Sequence, residues 1–332
     1  MALATSQQVE EYKKFQWFIL HHRNNCTVCG KEFEVHEKSY FGHLHDGTCA
    51  YTCETCSKNL CDARFYTIAH KKNVCIPEPK TRLWRYMDLA KFLSLLESNS
   101  LFFTRLDHFA DPFEGALGVI ENEEVWKKKE KERIKQWLEV EDKYAKRNSD
   151  ESELETRAVQ HFNRYREKLK DCRTRNYVSC WHMSDYESEA MWQLYTRDCK
   201  QGIAIQTTFD RLYHSLLSEL NFDFGLVNYI DYNKYNNGNS NKRFSLFDAL
   251  WYKRKSFEHE KEFRIIVEDD RKPAFRDIDK SIEIDLVTLI ENVYISPQAE
   301  EWFVKLVQEI ITKRYNLDLR IHQSDLTTLP FY

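Results

Sequence analysis

The chain has 332 residues, 42% of them hydrophobic and 14% aromatic, and its formal net charge is -4. That is enough apolar surface for one large or two ordinary domains, so global disorder is excluded, and bulk charge gives no signal for nucleic acid. No stretch approaches ~18 uncharged apolar residues, so no transmembrane helix is expected.

The first residues lack a charged segment followed by an apolar core, so no secretory signal is read there and a cytoplasmic location is expected. Ten cysteines in a reducing compartment then point to metal binding or plain burial, not disulfides. Seven of them lie before residue 76.

Residues 6–22 read as a helix, with Ser6 as N-cap and Val9, Tyr12, Ile19 and Leu20 at helical spacing. Cys26–Cys29 with Gly30 behind it, and Cys53–Cys56, form two C-x2-C pairs. A two-residue spacer turns both thiolates of a pair toward one point, so four cysteines predict a structural Zn²⁺. Between them Phe33, Val35, Tyr40 and Phe41 predict a short hairpin, and the residues after Cys56 can open a helix. Knuckle, hairpin, then knuckle and helix resembles a treble-clef zinc finger. His43, His45, Cys49, Cys61 and Cys75 are spare ligands or ordinary side chains. Nucleases of the HNH type use similar knuckles, but His43 and His45 precede Cys53 by only ten and eight residues, which leaves little room for a catalytic metal loop. A binding or docking finger for nucleic acid or a protein target is the preferred reading.

Pro77-Glu78-Pro79 is a rigid break and divides the chain into 1–79 and 80–332. Beyond it, Leu83–Tyr86 predicts a strand, Asp88 caps a helix, and Ser100–Thr104 predicts a second strand. Asp111-Pro-Phe-Glu114-Gly115 is an acidic loop that serves either as a site or as a capped turn. The charged stretch of about 119–170 predicts an inserted helical hairpin, with Ser149 or Asp150 as a cap. Its lysine-rich run at 127–131 can touch phosphate or merely solubilise.

Strands are expected at 177–181, 202–206, 224–232, 282–286, 291–296 and 319–323. Helices are expected at 191–195, 209–220, 247–252 and 299–315, and 236–241 reads as a flexible loop. The resulting class is α+β: a mixed, mostly antiparallel sheet with helices and a helical insert, preceded by a small zinc-binding module.

The densest chemistry lies in Ser256–Val267, S-F-E-H-E-K-E-F-R-I-I-V. If the strand starts early, Glu258, Glu260, Glu262 and Arg264 share one face. The alternatives are a site or a charged edge that discourages aggregation. Glu258 is expected to face solvent, and Arg264 to be the internal counter-ion of the other two.

From Leu83 onward the motif order resembles an uncharacterised prokaryotic family, through Trp84-Arg85-Tyr86, Asp111-Pro-Phe-Glu114, Trp192-Gln-Leu-Tyr195, Gly202-Ile-Ala-Ile205 and Glu260-Lys-Glu262-Phe-Arg264. It also resembles the ADP-ribosyltransferase superfamily, which includes DNA-targeting toxins. That resemblance implies Arg85 on a first core strand, Ser184 or Tyr195 at a second position, and Glu262 at a third with Glu260 before it. No S-T-S run follows the second strand.

The resemblance implies NAD as substrate. Glu262 and Glu260 would be catalytic, Arg85 would bind phosphate or ribose, and Tyr86, Trp192 or Tyr195 would stack on nicotinamide. Asp111 and Glu114 would form an accessory loop. A carboxylate beside the ribose stabilises an oxocarbenium-like state, and a second can deprotonate an acceptor. A role as a toxin or antiphage defence effector follows from the resemblance alone. Two other classes stay open. One is a metal-dependent nuclease using Asp111, Glu114, Glu260 and Glu262 as oxygen ligands. The other is a non-catalytic zinc-finger sensor or adaptor.

Overall fold

The structure, a computed structural model, describes residues 25–33, 38–46, 49–61, 64–67, 76–116, 128, 131–132, 135, 151–196, 200–218, 220, 222–235, 249–328 and 330–331. The expected helix at 6–22, most of the first half of the insert, its cap at Ser149 or Asp150, Cys75, Cys199 and the loop at 236–241 lie outside these residues. The chain divides into two compact units, Met1–Glu78 with Leu217–Leu220, and Pro79–Leu216 with Asn221–Tyr332.

The first unit holds a three-stranded antiparallel sheet. Its strands are β1 (Lys38–His43), β2 (Cys49–Cys53) and β3 (Arg64–Thr67), in the order β2-β1-β3. The expected hairpin is β1–β2, with Ser39 opposite Cys53. The second knuckle does not open an α-helix. A six-residue 3-10 turn, Glu54–Asn59, follows Cys53, and the chain then returns to pair with β1. The treble-clef expectation is corrected at that element.

The second unit is built on a nine-stranded sheet, antiparallel apart from one parallel pair. β4 (Arg82–Asp88) leads into α1 (Leu89–Ser98), where Asp88 accepts the Lys91 backbone N–H at 2.8 Å and so satisfies a free first-turn donor. Phe92, Leu95 and Leu96 form the buried stripe of α1, and Asn99 ends it in the left-handed region. β5 (Ser100–Arg105) follows. The long helix α2 (Glu151–Arg175) runs into β6 (Asn176–Met183), and α3 (Glu189–Tyr195) precedes β7 (Gly202–Thr208).

Next come α4 (Phe209–Ser215), which stops short of the expected residue 220, and β8 (Phe222–Leu226). The single strand expected over 224–232 is two, because β9 (Asn228–Ile230) leaves the main sheet to pair in parallel with β10 (Tyr252–Arg254). Tyr252 is thus in a strand, not the end of a helix. β11 (Glu262–Glu268), β12 (Asp279–Glu283), β13 (Asn292–Ile295), α5 (Glu301–Glu309) and β14 (Arg320–Gln323) complete the chain. The mostly antiparallel α+β class is as expected.

The sheet branches. One edge of β6 pairs with β11 from Asn176 to His182, and β11 in turn pairs with β8. The other edge is shared. β5 meets its start at Val178 and Tyr177, and β4 meets its end at Met183 and His182. Between these contacts residues 179–181 have no described partner strand on this edge, so the β5–β12 arm and the β4–β7–β13–β14 arm part. β11 is flanked on both sides, which is why Phe263–Val267 reads as a continuous buried run instead of an alternation.

Candidate active site

The carboxylate segment is not one long strand. Residues Lys255–Glu260 form a 3-10 turn, Lys261 takes φ 40°, and β11 begins only at Glu262. Three stacked carboxylates would repel. The turn disperses them: Glu258 is exposed, Glu260 half-buried, and Glu262 only 4% exposed. The shared-face expectation for Glu258, Glu260 and Glu262 is corrected accordingly.

A buried charge must find partners or it costs several kcal/mol. Arg264 is fully buried and has them. Its Nε donates to Glu262 Oε1 at 2.7 Å, its Nη2 to Glu114 Oε2 at 2.6 Å, and its Nη1 to the Leu250 carbonyl at 2.7 Å. Lys253 completes the cluster. Its Nζ lies 2.5 Å from Glu260 Oε2, 2.8 Å from Glu262 Oε2 and 3.3 Å from Glu114 Oε1. One ammonium with three donors thus meets three carboxylates. Three acids face two bases, so one negative charge is left over. Among the described residues, the carboxylate oxygen of this cluster without a partner is Glu260 Oε1.

The two glutamates of the pair differ. Burial alone would raise Glu262, but Arg264 and Lys253 beside it outweigh burial and bring it down to about 2. Burial dominates at Glu260 and pushes its pKa up against the pull of Lys253. Neighbouring carboxylates driven apart in this way are suited to different roles, one permanently ionised and one able to exchange a proton.

The D-P-F-E loop serves the same cluster from behind. Asp111 turns the chain by accepting the Phe113 N–H at 3.1 Å and grips Arg254 with both oxygens, at 3.0 and 2.9 Å. Glu114 is 1% exposed and pairs with Arg264 and Lys253. Gly115 follows with φ +73°, and an added Cβ would lie 2.8 Å from Leu106 Cδ2 and 2.9 Å from Arg173 Cγ. Only glycine fits there.

A cavity of about 530 Å³ occupies the branch of the sheet. Glu260, Glu262, Arg85, Tyr86 and Tyr195 line it. Arg85 spans the parting, donating to Ser179 Oγ on β6 at 2.9 Å and to the Phe102 carbonyl on β5 at 3.2 Å, with its guanidinium over the Trp181 ring. Burial lowers its pKa, yet an arginine stays protonated, and no described carboxylate pairs with it. The cavity wall therefore carries a cation at Arg85 with no described carboxylate partner and, at Glu260, a carboxylate whose Oε2 is held by Lys253 and whose Oε1 has no described partner.

Other expected site residues fall elsewhere. Ser184 does not line the cavity, and its carbonyl accepts the Trp84 indole N–H at 2.8 Å. Trp192 is core, packed edge-on to Tyr86 at 4.9 Å with its own N–H on Glu187. Tyr86 lines the cavity, and its hydroxyl accepts the Ser188 N–H at 2.9 Å. Asp111 and Glu114 do not line it. Sequence reasoning missed Lys253, Ser179, Cys180 and His182. A lysine between Tyr252 and Arg254 in an aromatic stretch was the available signal for the first. Burial and the adjacent Glu262 carboxylate push the Cys180 thiol well up, so it is a protonated thiol in the cavity wall.

In the first unit, the sulfurs of Cys26, Cys29, Cys53 and Cys56 all lie within 4.8 Å of one another. Cys29 Sγ and Cys53 Sγ are 3.9 Å apart, close to the ~3.8 Å edge of a tetrahedron with 2.3 Å metal–sulfur bonds. Gly30, at φ +73°, closes the first knuckle by donating to the Cys26 carbonyl at 2.8 Å. Burial raises the Cys26 thiol, but N–H groups of Cys53, Cys29 and Val28 outweigh it and bring the pKa to about 7. Burial and the neighbouring sulfurs push Cys56 up to about 12, so without an ion the four sulfurs do not all ionise together. The donor set fits a tetrahedral thiolate-bound ion.

Among the described residues no helix is long and apolar enough to cross a membrane. The model of the family described as "Protein of unknown function (DUF2971)" matches residues 191–265, a window that contains Lys253, Glu260, Glu262 and Arg264. No curated protein matches the chain. Among solved structures, the chain is similar to Thermus sp. 2.9 DarT in complex with NAD+, at 8% identity and a TM-score of 0.33, over 77% of this chain and 100% of that one.

Proposed function

We propose that the second unit is an NAD-dependent ADP-ribosyltransferase or NAD-cleaving enzyme working in the branch of the sheet. The observation that supports this is the pairing of Glu262 and Glu260 on one wall of a cavity with Arg85, which has no ion pair among the described residues, on another.

NAD carries a pyridinium and a pyrophosphate, which match the surplus anion and the surplus cation. Glu262, ionised down to about pH 2, stabilises positive charge developing on the ribose. The ribose C1′–nitrogen bond breaks, and nicotinamide leaves with the bonding pair. A bond forms from the acceptor oxygen or nitrogen to C1′, and the acceptor's proton goes to Glu260 through its free Oε1. Arg85 donates to phosphate with the N–H groups that Ser179 and Phe102 leave open.

A metal-dependent nuclease would need the same carboxylates for Mg²⁺. Lys253 and Arg264 already take both oxygens of Glu114 and Glu262, which leaves little for an ion.

The first unit in this reading is a structural Zn²⁺ module on Cys26, Cys29, Cys53 and Cys56 that docks a nucleic-acid or protein target, and the whole fits a toxin or antiphage effector. The test is release of free nicotinamide from NAD, with Glu262→Gln as control. No nicotinamide with or without DNA, RNA or protein acceptors sinks the enzyme reading. Elemental analysis giving well under one zinc per chain sinks the metal reading.

A further inference from the structure

His182 is 4% exposed, lines the cavity and has no part in bond breaking or proton transfer. It stands at the junction of the branch, opposite Trp84 on β4 and opposite Glu262 on β11. Its Nδ1 lies 2.6 Å from the Glu260 carbonyl oxygen. A carbonyl can only accept, so Nδ1 carries the hydrogen. In the neutral ring Nε2 is then a bare acceptor, and no described residue donates to it. Burial lowers the His182 pKa, in keeping with the neutral form.

Of the cavity's other polar side chains, the Arg85 guanidinium and the Lys91 ammonium only donate, the Cys180 thiol is engaged with Glu262, and the hydroxyls of Ser94, Ser100, Thr104 and Tyr195 can donate or accept. Glu260 and Glu262 accept, but as charged groups. At the carboxylate end His182 Nε2 is a neutral atom that can only accept, whereas the Tyr195 hydroxyl beside the same carboxylates can also donate.

We infer that His182 selects the ligand, its Nε2 accepting a hydrogen bond from an N–H or O–H donor next to the bond that breaks. This rests on the reading of the cavity as an NAD site. There, two groups present such a donor: the nicotinamide carboxamide and a ribose hydroxyl. A buried acceptor facing a ligand that lacks the donor is left unpaired, which is how one uncharged hydrogen bond discriminates.

The experiment measures kcat/KM for nicotinamide-site cleavage of three compounds by the full chain. They are NAD, its 3-acetylpyridine analogue without the amide N–H, and its nicotinamide-2′-deoxyribose analogue. The chains are wild type, His182→Leu and His182→Gln. Wild type is expected to prefer NAD over one analogue by roughly tenfold more than His182→Leu does, and the analogue affected identifies the donor. His182→Gln, which keeps an acceptor, is expected to retain most of that preference. Comparing preferences cancels the analogues' intrinsic reactivities. It also cancels any loosening of the Glu260 turn, which would slow all three compounds alike. A uniform loss, or an unchanged preference in His182→Leu, overturns the inference alone. A wild type that cleaves none of the three overturns the NAD reading and this one with it.

Discussion

The Asp111–Gly115 loop and the Glu258–Glu262 segment both deliver carboxylates to Lys253 and Arg264, yet they end with different chemistry. In the loop every carboxylate oxygen is consumed: Asp111 by Arg254, and Glu114 by Arg264 and Lys253. In the second segment Glu262 is held from both sides, but Glu260, which lines the cavity, keeps one oxygen without a described partner. The loop supplies the counter-charge that lets two cations stay buried, and those cations leave Glu262 ionised and Glu260 available. Acidic residues close together in space thus divide into supporting and reacting groups according to which oxygens remain free.

The largest effect should come from breaking the support. Glu114→Ala leaves Arg264, fully buried, with one carboxylate in place of two, and Lys253 short of one. A loss on the order of 3 kcal/mol of stability is expected in denaturant unfolding, because Arg264 Nη2 loses its buried carboxylate partner and is left as an unsatisfied charged donor. A stability within about 1 kcal/mol of wild type would show that the loop does not carry the cluster.

Glu262→Gln tests the other side. Turnover is expected to fall by roughly 10²–10³-fold, the usual size of a lost preorganised electrostatic group, or about 2.7–4 kcal/mol. Stability should change with pH as well. The folded pKa of about 2 lies below the ordinary 4.5, so Glu262 contributes stability that is complete above 4.5 and lost as pH falls toward 2. The wild-type chain should lose stability across that window more steeply than Glu262→Gln, by on the order of 3 kcal/mol. Parallel acid-unfolding curves would contradict the ion pairs.

Much of this frame could be read from residue pattern. Asp88 as a cap, the apolar run after Arg264, the Gly202 strand and Arg264 as internal counter-ion to Glu262 are local features, and a single chain shows them. The expected pairing of Arg264 with Glu260 is corrected, because Lys253 holds that carboxylate. What could not be read is long-range. Lys253 meets Glu114 from more than a hundred residues away, and nothing in either neighbourhood announces it. The branch of the sheet depends on β6 sharing one edge between β4 and β5, a choice made by three separate segments. Trp192 and Tyr195 share one helix, yet packing against Tyr86 takes the first into the core and leaves the second on the cavity wall. The strand boundary failed for a local reason: alternation suggested a start at Glu258, while like-charge repulsion and the left-handed Lys261 moved it to Glu262.

Glu260→Gln separates proton transfer from charge support. The side chain keeps an acceptor for Lys253, so the melting temperature should stay within a few degrees of wild type. Turnover should fall by roughly 10²-fold, the lower range for a general base. In the wild type the base must be unprotonated, and burial raises its pKa above the ordinary 4.5. Turnover should therefore rise with pH through a value above 4.5, and the variant should lack that limb. A limb that persists in Glu260→Gln would assign it to another group.

Asp111→Asn is the mildest break. Arg254, 43% exposed, keeps water as a partner when the charge on Asp111 is removed. An exposed partner makes such a pair worth about 1 kcal/mol or less. Asparagine still accepts the Phe113 N–H, so the turn that places Glu114 survives. The expected result is a small drop in melting temperature with unchanged kcat/KM. A loss of activity as large as that of Glu260→Gln would mean that the loop reacts as well as supports, and the division between the two acidic segments would fall.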